Sequence, residues 1–561
     1  MLLMIKSLRI VIIIKIVEGC VLKMKNDLKI KKRNMRRIVN APGFILLLSL
    51  CLLSAILFVF APITLNNVVE NVGSIGVKDI LMVIGLLVAG YIVDFISVFT
   101  KNQLIQQYHG RASDVLYKDV FKLKYDKYIT DGPTAIRELV YNAAEAYASF
   151  YFDVIPTLVV NIVTIVVTIY LAWTLNHIAA ILMFITLPIH YFGFKILNKK
   201  LAELSVNLRN ASSESHRNIN SVVSQVDFIK QNPENERLLP TLAKNILRSE
   251  GVRKKVNYVA NGVSGLLIGL NQIIQNLTII FLAALALSNK DAFGGVVYVM
   301  LVFPYFSNAI RGLSWTNLGF ADVKAADDYL KTLIEFKEED GVMDMPQDIK
   351  SIKFDIKSVD ILDKNLLNDI KMEFKAGDIV GIMGESGTGK STLVKLIPKY
   401  RNAKGIYINE IPIEDIKNSE YLKSISYYSQ NTPIITDTIY NNLNFGRKPI
   451  AKQIYENMPF LSKFKNLDEI IVENGANLSG GDKQRIALSR YFTEDAKIVI
   501  LDEPTSSLDK ETETELMSEV LKNVDDRIIF IISHNKDIMN YCTHVVEIKN
   551  KTVTVTEKPK A

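Results

Sequence analysis

The pattern of hydrophobic and polar residues divides the chain into two unlike parts. Long apolar runs lie between residues 44 and 315, and short β-rich runs among charged residues follow from about Ser351. Six apolar runs approach or exceed the ~20 residues with which an α-helix crosses a lipid bilayer. They are approximately Phe44–Leu65, Ile80–Val98, Val154–Trp173, His177–Phe194, Val259–Leu287 and Val296–Trp315. A buried soluble helix would explain any one of them, but six in succession predict an all-α membrane domain.

The connections between these segments alternate in length and charge. Residues 99–153 and 195–258 are long, polar and rich in lysine and arginine, whereas the other connections are brief. Because positively charged loops stay in the cytoplasm, both termini and both long connections are predicted to be cytoplasmic. A helix of about 25 residues extends ~37 Å, so each long connection has room for a helix pair below the membrane. We expect the turns of these pairs near Tyr125–Pro133 and Gln231–Glu236.

The second part of the chain is predicted to form a soluble α/β domain. Its first short apolar runs are Ile352–Ile356, Ile370–Phe374 and Ile379–Met383. The predicted division is a cytoplasmic N-terminal segment at 1–40, a membrane domain at 41–320, a linker at 321–350 and the α/β domain at 351–561.

The first residues allow several interpretations. Lys15 interrupts the apolar run Ile10–Val17, which weighs against a signal peptide. Glu18 and the same interruption weigh against a lipoprotein cleavage site before Cys20, and translation from Met24 is a third possibility. The basic stretch Lys25–Arg37 is expected to form an interfacial helix on the cytoplasmic face.

Composition favours a membrane protein over a nucleic-acid-binding protein. The chain is 49% hydrophobic and 22% charged, with a net charge of +7. The positive residues lie beside apolar segments and form no stripe with interleaved aromatic residues, so membrane lipid is a predicted partner and nucleic acid is not. The three cysteines lack metal-site spacing and are interpreted as unpaired.

A glycine-rich loop gives the second domain its chemistry. An apolar strand and a segment with helical spacing enclose the run Gly384, Glu385, Ser386, Gly387, Thr388, Gly389, Lys390, Ser391 and Thr392. Glycines allow several backbone N–H groups to point inward, and the helix N-terminus adds its positive end. The loop therefore predicts an ATP site in which Lys390 contacts the β- and γ-phosphates and the Ser391 hydroxyl holds Mg²⁺.

Two later apolar strands end in polar residues. The strand Lys497–Leu501 leads to Asp502 and Glu503, and the strand Arg527–Ile532 leads towards His534. Asp502 is expected to coordinate Mg²⁺, and Glu503 to activate the attacking water as general base. For His534 the sequence leaves two roles open, contact with the γ-phosphate and capping of a helix.

A second glycine loop, Ser479-Gly480-Gly481, precedes another helix. Its position predicts a second anion cradle. Two phosphate loops in one domain suggest that each ATP lies between the first loop of one subunit and the second loop of its twin.

These motifs, in this order, resemble those of the ATP-binding cassette (ABC) transporters, and from about residue 30 the chain looks like one half of such a transporter. The matching motifs are Walker A at Gly384–Ser391, the Q-loop at Gln430, the LSGG signature at Leu478–Gly481, Walker B at Ile498–Asp502, the D-loop at Ser506–Asp509 and the H-loop at His534. The resemblance implies catalysis by Glu503, His534 and Gln430, magnesium binding by Ser391, Gln430 and Asp502, and ATP contact by Asp509. It implies an exporter-type six-helix membrane domain with long cytoplasmic extensions, whose turns act as coupling helices, followed by an α/β P-loop ATPase domain of ABC type.

Three features depart from the family pattern. Ile361 stands where an aromatic residue commonly stacks on adenine, Asp482 stands where the signature commonly continues with glutamine, and the interval from Gln430 to Ser479 is short. No group required for hydrolysis is lost, but nucleotide affinity is expected to be lower than is common in the family.

The resemblance implies ATP-driven efflux across the bacterial plasma membrane by a dimer, with Mg²⁺ as cofactor. A homodimer is favoured, and a heterodimer with a related half is the alternative. The substrate class stays open among peptide, lipid and hydrophobic small molecule. An exporter-shaped importer, for example of metal chelates, and an ATP-gated channel are the alternative functions. The six spans argue against a nucleic-acid-handling ABC ATPase.

Amide side chains within the fifth span are candidates for the substrate cavity. They are Asn271, Gln272, Gln275 and Asn276, which form two i,i+4 pairs. Hydrogen bonding between helices is an equally favoured role for them.

Overall fold

The computed structural model describes most of the chain after residue 25. The described residues are 26–70, 77–175, 177–223, 225–231, 238–288, 293–361, 364–401, 404–429, 433–445, 449–493, 495–506, 508, 510–522, 524 and 526–558. The chain forms two units. The first contains the described residues up to Leu123 together with Lys127–Lys337, and the second contains Lys124–Asp126 and Glu338–Ala561.

The first unit is built of helices. Their bounds are α1 Asn26–Arg37, α2 Ala41–Glu70, α3 Val77–Val120, α4 Tyr125–Asp131, α5 Pro133–Ser149, α6 Ile155–Leu175, α7 His177–Val223, α8 Val226–Gln231, α9 Leu238–Ser288 and α10 Phe293–Glu335. The six apolar segments predicted to span the membrane lie almost entirely within α2, α3, α6, α7, α9 and α10, so the prediction of helices there is confirmed. By length and composition, three stretches of the described chain can cross a membrane, namely Ala41–Thr64, Ile80–Val120 and Pro133–Thr174, and His177–Gly193 is a shorter apolar helix.

Three helices that run into the long polar connections are much longer than a membrane span. α3 has 44 residues, α7 has 47 and α9 has 51. At 1.5 Å per residue they extend roughly 66 to 77 Å, about twice the ~30 Å hydrocarbon core of a bilayer. The excess forms the long extensions that the polar connections predict.

The first expected turn, at the end of one extension, contains a short helix. In the first turn, α4 ends at Asp131, Gly132 adopts a φ of +77°, and Pro133 begins α5. The contacts of Lys124–Asp126 place these three residues in the second unit, where the Tyr125 ring stacks on Tyr400 with 4.9 Å between centroids. Of the second expected turn, Gln231–Glu236, only Gln231 is described, as the last residue of α8.

The junction of α5 and α6 widens into a π-helical turn at Phe150–Val154, where the following amide donates to a carbonyl five residues back. Pro156 supplies a physical reason, because it has no N–H to offer the carbonyl of Phe152. The turn carries Asp153, whose carboxylate forms an ion pair with Lys101 of α3 at 2.8 Å.

The second unit is organised around one ten-stranded sheet. Its strands are β1 Ser351–Ile361, β2 Lys364–Lys375, β3 Ile379–Gly384, β4 Ile406–Ile408, β5 Ile411–Pro412, β6 Ile425–Tyr428, β7 Ile498–Asp502, β8 Ile528–Ile532, β9 His544–Lys549 and β10 Thr552–Glu557. Their order is β5-β4-β1-β2-β10-β9-β3-β8-β7-β6. The run from β9 to β6 is parallel. The helices of this unit are α11 Lys390–Leu396, α12 Asn418–Tyr421, α13 Ile439–Leu443, α14 Lys452–Glu456, α15 Gly480–Ser489, α16 Lys510–Lys522 and α17 Lys536–Met539.

Two hydrophobic clusters cover opposite faces of the parallel strands. On β7, Ile498 and Ile500 belong to the first cluster, whereas Val499 and Leu501 belong to the second. Because successive side chains of a strand point to opposite faces, the two clusters lie on the two sides of the sheet. Helix α11 packs into the first cluster and α15 into the second.

Candidate functional site

The phosphate loop, Gly384–Ser391, connects β3 to α11. Gly387 and Gly389 have φ angles of +80° and +105°, which residues with side chains rarely adopt. A Cβ on Gly384 would lie 2.9 Å from the carbonyl oxygen of Ile548, so the backbone passes too close to β9 for a side chain. The glycines of the sequence pattern are therefore required by the conformation of the loop.

The Lys390 side chain lies inside the phosphate loop and contacts the backbone at the start of the loop. Its ammonium group donates to the carbonyl oxygens of Gly384 at 2.7 Å and Glu385 at 2.8 Å, and the residue is only 8% exposed. Ser391 lies beside it at the start of α11 and is exposed. The structure thus holds a cation in the loop and presents a hydroxyl next to it, as the sequence predicts for a phosphate site.

Asp502 ends β7, and its carboxylate receives a hydrogen bond that the sequence did not reveal. The Tyr427 hydroxyl, on the adjacent strand β6, donates to Asp502 Oδ2 at 3.0 Å. Burial and the nearby Asp502 carboxylate raise the pKa of Tyr427, so the phenol remains a protonated donor. Asp502 itself is 7% exposed.

Glu503 and His534 come together because they follow neighbouring parallel strands. His534 Nε2 lies 3.4 Å from Glu503 Oε1. Glu503 has a φ of +51°, and its N–H donates to the carbonyl of Ile532 at 3.0 Å. A left-handed conformation at a residue other than glycine is strained and persists where the surroundings enforce it, often at functional sites. The strain turns Glu503 away from the direction of β7.

The second glycine loop differs from the phosphate loop in its local structure. Gly480 and Gly481 are the first residues of α15, and Ser479 is its N-cap. The Ser479 hydroxyl accepts from the N–H of Asp482, and the Asp482 carboxylate accepts from both the N–H and the hydroxyl of Ser479. This reciprocal arrangement is a capping box, which satisfies N–H groups that a helix end otherwise leaves open.

Asp482 also pairs with a lysine, which explains how an acid is tolerated at this position. Lys463 Nζ lies 2.8 Å from Asp482 Oδ1. Burial alone would raise the pKa of Asp482, but the hydrogen bonds from Lys463 and Ser479 outweigh it and lower the pKa. The carboxylate is therefore ionised at neutral pH.

Other predicted site residues fall partly outside the described chain. Gln430 and Asp509 are not among the described residues, and of Ile361 only its place at the end of β1 is described. A contact beside the predicted D-loop was not foreseen: Gln484 of α15 donates to the hydroxyl of Ser506 at 3.0 Å.

The oxygen groups of this site fit a magnesium ion. Mg²⁺ prefers oxygen ligands and is commonly held by one or two protein groups together with substrate phosphates. Ser391 offers a hydroxyl and Asp502 a carboxylate, while the described residues contain no group of three or more His, Cys, Asp or Glu side chains arranged to hold a metal. The donor set therefore suits a metal that is shared with a nucleotide.

The four amides of the fifth span divide between two sides of α9. Asn271 and Gln275 are buried, and Asn271 donates to the Ser307 hydroxyl of α10. Gln272 and Asn276 are exposed and bond to each other at 3.3 Å. Interhelical hydrogen bonding, one of the two predicted roles, describes Asn271.

Comparison with known protein families matches both parts of the chain. The family model described as the ABC transporter transmembrane region matches residues 42–311, and the one described as ABC transporter matches residues 367–506.

Individual relatives are distant in sequence. A probable ABC transporter ATP-binding/permease protein of Haemophilus influenzae is 32% identical over 228 residues, which are 38% of this chain and 41% of the relative. The ATP-dependent lipid A-core flippase 2 of Colwellia psychrerythraea is 24% identical over 491 residues, which are 82% of each chain.

A solved structure shares the fold over nearly the whole length. The structure of a bacterial Atm1-family ABC exporter with ATP bound superposes with a TM-score of 0.76 at 17% sequence identity, covering 93% of this chain and 95% of that chain. The order of the nucleotide motifs, both family models and this shared fold agree. The chain belongs to the ABC transporters, as an exporter-type half-transporter whose ATPase domain drives transport across a membrane.

Proposed function

We propose that this protein exports an amphiphilic substrate across the bacterial plasma membrane and works as a homodimer with cytoplasmic ATPase domains. The observation that carries the proposal is the placement of the two glycine loops. The phosphate loop leads into α11 on one face of the parallel sheet, and the signature loop, Ser479–Gly481, leads into α15 on the other. An ATP that contacts both kinds of loop is therefore shared between two copies of the domain.

Each copy carries its own hydrolytic groups. Lys390 would contact the phosphates, and Ser391 and Asp502 would hold Mg²⁺, which would neutralise charge on the phosphate oxygens. The Glu503 carboxylate accepts a proton from the attacking water, whose oxygen then bonds to the γ-phosphorus as the bond to ADP breaks. His534, 3.4 Å from Glu503, holds that carboxylate in its strained position. Because no member of this set is missing, two identical copies form two active sites, which favours the homodimer.

Export of an amphiphile is supported by the relatives and by the helices. Several relatives are named ATP-dependent lipid A-core flippases, and the shared fold is that of an ABC exporter. The long helical extensions place the turns at α4 and α8 far from the apolar segments. Closure of two ATPase domains on ATP would move these turns and open the bundle outward.

Transport by purified protein in inside-out vesicles tests the proposal. We expect ATP to drive a fluorescent phospholipid or an amphiphilic dye into the vesicle lumen, and the Glu503→Gln variant to bind ATP but to abolish uptake. ATP-driven loss of preloaded substrate from the lumen would indicate an importer. Conductance far above the rate of ATP turnover would indicate a channel.

A further inference from the structure

A cavity with a mainly apolar lining and a few polar and charged groups lies among the helices of the first unit, away from the amides of α9. Its volume is about 430 Å³, within the range of small-molecule sites, and it is lined by α2, α3, α6, α10 and the π-helical turn. Its lining includes Phe58, Asp94, Lys101, Asp153, Asn161 and Tyr305. Asp94 and Asp153 stand where the second and third apolar segments meet the long polar connection, which is the side predicted to face the cytoplasm. A substrate entering from that side would meet this cavity.

The charges around the cavity favour a positive ligand. Lys101 and Asp153 form an ion pair at 2.8 Å and so compensate each other. Among the described residues no ion pair is formed by the carboxylate of Asp94, which leaves one negative charge in the lining. Outside the lining, Arg311 is exposed and donates to the Asn308 side chain at 3.0 Å. Asp94 is exposed as well, so solvent screens both charges, but only the carboxylate belongs to the lining.

One wall of the cavity is aromatic. The Phe58 ring stacks on Tyr305 with 6.3 Å between centroids, and Tyr91 meets Phe58 edge-on at 5.0 Å. Tyr91 stands one helical turn before Asp94 on α3. Aromatic faces attract organic cations through their negative quadrupole, and the attraction grows when water is excluded. A carboxylate beside such a wall selects positive charge with apolar bulk.

Two irregularities also occur at this cavity. The π-helical turn brings Phe152 and Asp153 into the lining, and such turns are frequent at functional sites. The Asn161 side-chain nitrogen is buried without a hydrogen-bond partner in the described structure. Pro156 accounts for the π-helical turn, but a structural core commonly satisfies its polar groups, so the unpartnered nitrogen of Asn161 is not expected of a wall that only packs.

We propose that this cavity binds an organic cation, with Asp94 as the charge partner and Phe58 and Tyr305 as the apolar wall. The inference names the substrate class of the proposed export and in that respect rests on it. It favours cationic amphiphiles over anionic lipids, whose phosphates would meet the uncompensated carboxylate of Asp94.

Equilibrium binding to the full-length protein in lipid nanodiscs, without nucleotide, tests the inference. The probes are tetraphenylphosphonium and tetraphenylborate, which share one shape and carry opposite charges, with empty nanodiscs as the background. We expect saturable binding of the cation and none of the anion. Equal binding of both probes, or displacement of the cation by an anionic lipid, would overturn the charge argument.

Variants of the lining assign the charge. Asp94→Asn should weaken cation binding at least about tenfold, Asp94→Glu should retain it, and Lys101→Gln should strengthen it because Asp153 is then uncompensated. Asp114→Asn is the matched control, since Asp114 is on the same helix but pairs with Lys118 outside the cavity. Loss of binding in all four variants, or in none, would contradict a binding role for Asp94. Because these measurements need no ATP, their failure leaves ATP-driven export standing, and failed export leaves the binding result standing.

Discussion

The two glycine loops of the ATPase domain look alike in sequence but are built differently. In the phosphate loop, Gly387 and Gly389 adopt positive φ angles and no side chain caps α11. In the signature loop, Gly480 and Gly481 are already helical, and Ser479 and Asp482 cap α15 reciprocally. One loop is shaped by its backbone, and the other is closed by its own side chains.

In the proposed ATP site, this difference gives the two helix N-termini different roles. Lys390 brings a positive charge into the first loop, whereas the Asp482 carboxylate brings a negative charge to the second. The ammonium group of Lys390 is held by carbonyl oxygens of the first loop, whereas the lysine at the second loop, Lys463, is paired with the Asp482 carboxylate. We therefore expect the first loop to bind ATP in a single subunit and the second to act after two subunits have closed.

The largest effect is expected from removing the cation of the first loop. Lys390→Met should weaken ATP binding about 100-fold, because a charged hydrogen-bond donor to phosphate is lost, and should abolish ATPase activity. Binding of a fluorescent ATP analogue at low protein concentration measures this. The matched control is Lys395→Met, which removes a charge from the same helix outside the phosphate loop. Equal loss in both variants would show that helix α11, rather than the loop cation, had been disturbed.

A change in the second loop should affect the rate of ATP turnover but not the binding of ATP to a single subunit. Ser479→Ala should leave ATP binding to dilute protein unchanged but lower kcat roughly tenfold, as for a lost hydrogen bond to a charged group. It should also lower the free energy of unfolding by about 1 kcal/mol through loss of the N-cap.

Thr438→Ala separates these two consequences. Thr438 caps α13 through a 3.1 Å bond from the N–H of Asn441, so its loss should cost a similar stability without lowering kcat. A comparable fall of kcat in Thr438→Ala would mean that stability alone explains the effect of Ser479→Ala.

A smaller effect is expected from neutralising the acid of the second loop. Asp482→Asn should lower the ATP concentration for half-maximal ATPase activity about two- to threefold, because a carboxylate no longer opposes phosphate at the start of α15. The same change should destabilise the ATPase domain at neutral pH, since it removes the pair with Lys463. That pair is mostly solvent-exposed on the lysine side, so the loss should be modest.

The difference in stability between the unmodified protein and the Asp482→Asn variant should depend on pH in a way that follows from the direction of the Asp482 pKa shift. The pKa of Asp482 is lowered in the folded protein, with the hydrogen bonds from Lys463 and Ser479 outweighing burial. Its stabilisation is therefore complete above the ordinary aspartate pKa of about 3.9 and disappears as pH falls through the lowered value. Thermal unfolding of both proteins from pH 8 to pH 5 should show a constant difference. A difference that vanishes already at pH 5 would contradict a lowered pKa.

The phosphate loop could be predicted from sequence because its geometry is local. A positive φ at Gly389 demands glycine whatever surrounds the loop. The order of the strands then brings Asp502, Glu503 and His534 to one edge of the sheet, since carboxyl ends of parallel strands meet there. The six apolar segments could likewise be recognised from the sequence, because a membrane span requires a minimum length of apolar residues.

Contacts between distant residues could not be predicted in this way. Lys463 and Asp482 are 19 residues apart, and Tyr427 and Asp502 are 75 apart, so neither pair follows from a local pattern. On α9, helical spacing correctly paired the amides but did not say which pair would be buried. The π-helical turn at Phe150–Val154 had one local signal, Pro156. The ion pair of its residue Asp153 with Lys101, however, depends on how α3 packs and could not be predicted locally.

The smallest effect should come from the hydrogen bond to Asp502, the residue at the end of β7 that we propose as a magnesium ligand. Tyr427→Phe removes the 3.0 Å bond to Asp502 and leaves the ring in place. With the carboxylate less firmly oriented, we expect the Mg²⁺ concentration for half-maximal activity to rise about threefold, in line with a hydrogen bond of about 0.5–1.5 kcal/mol. ATP binding in the presence of EDTA should not change.

Tyr428→Phe is the control for this variant, because Tyr428 is the next residue on β6 and packs in the second hydrophobic cluster, on the other face of the sheet. If both phenylalanine variants shift the magnesium dependence equally, the hydroxyl of Tyr427 does not position Asp502. If only Tyr427→Phe shifts it, the first loop depends on a tyrosine 75 residues before Asp502 as well as on its own glycines. The position of Asp502 would then depend on the pairing of β6 with β7, whereas the signature loop depends on its own helix cap. The two loops would therefore differ in whether distant or local residues hold them in place.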